Sequence, residues 1–76
     1  MEDKNTVLVD LRNEIENINI KIKGLLLFRT EHFMELDSNH LCLLDIQLNA
    51  MRTYSETLSA RIILLEGDED GTNSNE

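Results

Sequence analysis

The sequence predicts an all-α fold: an antiparallel two-helix hairpin with a coiled-coil-like seam, assembling further into a helical oligomer. Three observations carry this. The 76 residues hold no proline and only three glycines, so few breakers interrupt them. Leu41, Leu44, Leu48, Met51, Leu58, Ile62 and Leu65 recur at alternating steps of three and four, with Ser55 in the one remaining place. That spacing draws a single stripe along a helix. Leu8, Leu11, Ile15, Ile18, Ile22 and Leu25 repeat the same count, so each helix has an apolar face to offer the other.

The elements follow in order. Residues 1–5 form a polar lead, and Asn5 or Thr6 is the expected cap of helix 1. That helix is expected over about residues 6–29. Its acids come early (Asp10, Glu14, Glu16) and its bases late (Lys21, Lys23, Arg29), which complements the helix dipole. Gly24 falls off the stripe, as a close approach or a weak spot. Residues 30–37 form the turn, with His32 exposed in it. Asp37 is the expected cap of helix 2, with Ser38 as fallback, and Leu36 and Leu41 flank it as a hydrophobic staple. Helix 2 is expected over about residues 38–65. At 1.5 Å per residue the helices are about 36 and 42 Å long, and a short link between such equals makes an antiparallel hairpin. Gly67 stands where a C-cap is expected. Residues 67–76 are acidic, small and polar, and read as a disordered tail.

Composition bounds the function. A chain this short buries little apolar surface alone. One cysteine, Cys42, allows no internal disulfide, and with His32 and His40 it matches no zinc spacing. It is expected to be buried and inert. The net charge is −8. Four of the acids and none of the bases lie in residues 67–76, so half of that charge sits in the tail. An acidic balance argues against DNA or RNA and against an anionic membrane. The N-terminus is too polar for a signal peptide, the longest apolar run is far short of a membrane span, and a free cysteine fits the cytoplasm.

Apolar residues remain outside the stripes: Ile20, Leu27 and Phe28 on helix 1, Leu43, Ile46 and Ala50 on helix 2. In an antiparallel hairpin they collect toward the loop end. Such a patch marks an interface, and a second copy of the chain is the simplest partner.

The candidate ligand-binding residues are Lys21, His40, Gln47, Tyr54 and Arg61. The last four are spaced by seven and so share one edge of helix 2. Arg61 can grip a phosphate and Tyr54 can stack on a base. Lys21 is expected to face residues 46–50. The plainer reading of that spacing is a solvated row beside a coiled-coil seam. Arg52 and Glu56 are expected to pair at i,i+4. No glycine-rich phosphate loop, HExxH or CxxC motif exists, and Asp37, Ser38 and His40 lie too close together on one helix start to form a triad. The chain is therefore read as no enzyme, with no cofactor, no metal and no catalytic residues.

Phe28, Phe33, Leu36, Leu43, Leu44, Gln47, Ala50, Met51, Tyr54, Leu58, Arg61 and Ile62 together resemble a pattern in small bacteriophage helical-hairpin proteins, over about residues 18–63. More loosely the hairpin is similar to that of phage anti-CBASS and anti-Thoeris proteins. The resemblance implies an oligomer that sequesters a cyclic-nucleotide defence signal in the host cytoplasm. No ligand residues transfer position by position. The alternative is a helical interaction module for a host or phage protein, its acidic tail giving solubility or mimicking nucleic acid.

Overall fold

The computed structural model describes residues 3–70. Two helices account for nearly all of it, α1 (Lys4–His32) and α2 (Ser38–Asp70). They pack side by side as an antiparallel hairpin with a long dimension of 55 Å. No strand occurs among the described residues.

Both helices exceed their expected bounds, for identifiable reasons. At the start of α1, Asp3 rather than Asn5 or Thr6 is the cap. Its Oδ1 accepts from the Thr6 backbone N–H at 2.8 Å, which satisfies one of the donors a helix start leaves open. At the other end α1 runs three residues beyond Arg29, because nothing in Thr30-Glu31-His32 breaks a helix. The chain then turns over residues 33–36, where the His32 carbonyl accepts from both Glu35 and Leu36 N–H groups at 2.9 and 3.2 Å. His32 is thus the last helical residue, stacked on Phe28 at 4.6 Å between ring centroids and 3.0 Å from Glu35. Asp37 caps α2 by accepting from the His40 N–H at 2.8 Å. Gly67 does not end α2, which passes through it to Asp70. A glycine lowers helix stability by only about 1 kcal/mol, so it stops a helix only where the backbone turns into the left-handed region. The tail expected from residue 67 therefore begins as helix, and residues 71–76 lie outside the described residues.

The core is the pair of stripes. Every stripe residue on both helices is buried or half-buried. Leu8, Leu11, Leu48 and Leu58 are the fully buried ones. The count continues past Leu25 to Arg29, His32 and Leu36, all half-buried at the same alternating step, so the seam reaches the turn through polar residues with apolar stems. Gly24 faces open space, with nothing within 4 Å of where a Cβ would stand, so no close approach within this chain requires it. Cys42, expected to be buried, is exposed, because it falls one residue past a seam position.

Candidate functional site

Cross-helix pairs set the register and divide the hairpin into two flanks. On one flank, Arg12 pairs with Glu66, the Ser55 hydroxyl donates to Asn19 Oδ1 at 3.0 Å, and Arg29 binds Asp45. On the other, the Tyr54 hydroxyl donates to Glu14 Oε2. With Asn19 level with Ser55, and Arg29 with Asp45, equal rise along both helices brings Lys21 level with about residue 53. It therefore stands beside Tyr54 and not opposite residues 46–50 as expected.

The Tyr54 flank carries the expected polar row. His40 is turned back onto Asp37, its Nδ1 3.3 Å from Oδ1, and belongs to the helix cap. Gln47, Tyr54 and Arg61 are exposed. The Glu14 carboxylate accepts the phenol's hydrogen bond and pushes the Tyr54 ionisation up, while the Arg61 charge pulls the other way. Glu14 thus sits among the binding candidates and opposes an incoming anion there. Lys21 and Arg61 have no ion-pair partner among the described residues. Arg61 lies two turns from Tyr54, about 10 Å along the axis.

The opposite flank lies outside the polar row. An open groove of about 330 Å³ is lined by Leu26, Arg29, Asp45, Leu48, Asn49 and Arg52. Arg29 is fixed by two bonds to Asp45, Nε to Oδ1 at 2.8 Å and Nη2 to Oδ2 at 3.3 Å. Its guanidinium also lies 5.6 Å from the centre of the Phe33 ring. Arg52 makes no ion pair with Glu56, contrary to expectation; among the described residues it has no ionic partner and it faces the groove. The sequence carried a signal for this site. Arg29 falls on the next seam count after Leu25, where a charged residue must reach sideways to a partner.

The expected interface residues are outward. Ile20, Leu27, Phe28, Leu43 and Ile46 are 43% to 64% exposed, and Ala50 is exposed as well. Phe33 and Met34 join them at the turn, at 47% and 90%. No helix among the described residues is long and apolar enough to cross a membrane.

No curated protein and no solved structure matches the chain. A family model, Sequestin, matches residues 5–64, a span that takes in most of α1, the whole turn and α2 as far as Leu64. On a match over most of its length, both helices included, this chain belongs to the Sequestin family.

Proposed function

We propose that this protein is a non-catalytic binder that sequesters a cyclic nucleotide between copies of itself. The observation that carries the reading is the family match over both helices, whose name denotes sequestration. The phage resemblance supports the same reading, in which the protein acts in the cytoplasm of an infected host. The surface is compatible with it. Both flanks offer guanidinium groups without ionic partners among the described residues, Arg61 on one and Arg52 on the other. The polar row of Lys21, His40, Gln47, Tyr54 and Arg61 is one candidate wall of the site. The net charge of −8 repels a phosphate at long range, so affinity rests on short contacts: guanidinium on phosphate and ring or apolar face on base.

A hairpin one helix thick has no interior to enclose a ligand, so sequestration requires assembly. The exposed apolar residues near the turn supply the surface for it. They also favour a second reading, an interaction module that docks a host or phage protein by the same patch.

A thermal-shift panel tests the proposal. Cyclic AMP, cyclic di-AMP, cyclic GMP–AMP and a cyclic trinucleotide are each added in excess, with melting and assembled mass recorded. A ligand at a hundredfold excess over its Kd stabilises the folded state by about 2.7 kcal/mol. At about 4–8 °C per kcal/mol that raises Tm by more than about 10 °C. No shift with any member refutes sequestration and leaves the interaction module.

A further inference from the structure

Resting on that reading, we infer that the phosphate seat is the groove between Leu26, Arg29 and Asn49–Arg52, on the flank opposite the Tyr54 row. The seat takes one phosphate-bearing unit of nucleotide size.

The argument begins with charge. The chain has seven Lys and Arg residues against fifteen acids, so a place where cations outnumber acids is uncommon on it. The groove lining holds two guanidinium groups and one carboxylate. Asp45 occupies the Nε and Nη2 edge of Arg29, which leaves the Nη1 donors of that fork. All of the Arg52 donors lack an ionic partner among the described residues. Lys23 lies one turn before Leu26 on α1, and residues three apart share a helix face, so a third cation lies on the face of α1 that carries Leu26. On the Tyr54 flank, in contrast, Glu14 is already bound to the tyrosine, and a carboxylate beside the stacking ring repels the phosphate that would bring a base to it.

Preorganisation points the same way. Arg29 is held by two bonds to Asp45 and by its contact with Phe33, so little side-chain entropy remains to be lost when it binds. Leu48 is buried beneath and Leu26 half-buried beside it, an apolar floor for a sugar or base, with the Asn49 amide as donor and acceptor. A volume of about 330 Å³ is at the small end for ligand sites, which span about 300–1,000 Å³. It suits one nucleotide unit and leaves the rest of a cyclic ligand to a second copy.

The test uses the full chain and AMP as probe, followed by isotope-edited NMR on the arginine Nε–H and asparagine amide signals. AMP is expected to move the Arg52, Arg29 and Asn49 signals and to leave Arg61 in place. Arg52→Ala should weaken AMP binding about tenfold or more, the scale of one charge-assisted contact, with Tm unchanged because Arg52 is exposed. Arg52→Lys should recover part of the loss, and Arg12→Ala, at the far end of the hairpin where Arg12 pairs with Glu66, should bind as wild type does. Movement confined to Arg61, or Arg52→Ala binding within about twofold of wild type, overturns the inference. The two proposals fail separately. If cyclic nucleotides raise Tm while the groove signals stay still, this inference alone is wrong. If AMP moves the groove and no cyclic nucleotide raises Tm, the seat stands and sequestration falls.

Discussion

Leu58 is the most buried residue described, at 1% exposure, and its replacement by alanine measures how much of the fold rests on the seam. By the register it lies between the levels of Ile15 and Ile18 on α1. Truncating a fully buried leucine costs about 2–5 kcal/mol in lost transfer and in the cavity left behind. A domain of this size is stable by about 0.05–0.15 kcal/mol per residue, a total of only about 4–11 kcal/mol. Leu58→Ala should therefore remove a large part of the stability. At about 4–8 °C per kcal/mol it lowers Tm by at least about 8 °C. Ile63, on the same helix but 68% exposed, is the control. Ile63→Ala removes an outward side chain and improves helix propensity, so its Tm should stay within about 4 °C of wild type. Melting followed by far-ultraviolet circular dichroism reads both. Equal losses, or a larger loss for Ile63, refute the reasoning, because the outward row would then be the principal core in solution.

Other outcomes follow from the same geometry. Leu43→Glu with Ile46→Glu should reduce the assembled mass measured by light scattering, since it would bury charge without a partner; a wild-type chain that is already monomeric at micromolar concentration sinks the assembly. Gly24→Ala should raise Tm by several degrees, because the alanine meets nothing within 4 Å and gains about 1 kcal/mol of helix propensity; a fall would reveal a second copy packed there. The backbone N–H of His40 holds the Asp37 carboxyl below its usual range. A carboxyl with a depressed folded-state value contributes stability above its unfolded pKa of about 4 and loses it as pH falls through the folded value. Asp37→Ala should thus melt lower than wild type at neutral pH, the gap closing in acid, whereas Asp37→Asn keeps a cap with little pH dependence; parallel wild-type and Asp37→Ala curves down to pH 2 contradict the cap. Deleting residues 67–76 is expected to leave Tm within about 2 °C, since the last cross-helix pair among the described residues is at Glu66; a larger drop shows that the segment docks.

The residues that were legible from sequence are those governed by local periodicity. Alternating steps of three and four marked each seam position from Leu8 to Leu25 and from Leu41 to Leu65, and each is buried or half-buried. A helix fixes which residues share a face whatever its surroundings. The Asp37 cap was legible for the same local reason. Asp3 caps α1 in place of Asn5 or Thr6 and α2 runs through Gly67, because several residue types serve near a helix end and a glycine only permits a stop.

Tertiary structure alone decided the register and, with it, the candidate site. The relative height of two helices depends on the turn geometry and on the sum of side-chain contacts across the seam, which no spacing within one helix contains. That height put Glu14 on Tyr54 and drew Lys21 level with it. It also gave Arg29 to Asp45, leaving Arg52 over a groove instead of on Glu56. Sequence periodicity therefore determined the hairpin and its two faces, while the register between helices decided which cations were neutralised and which were left for a ligand.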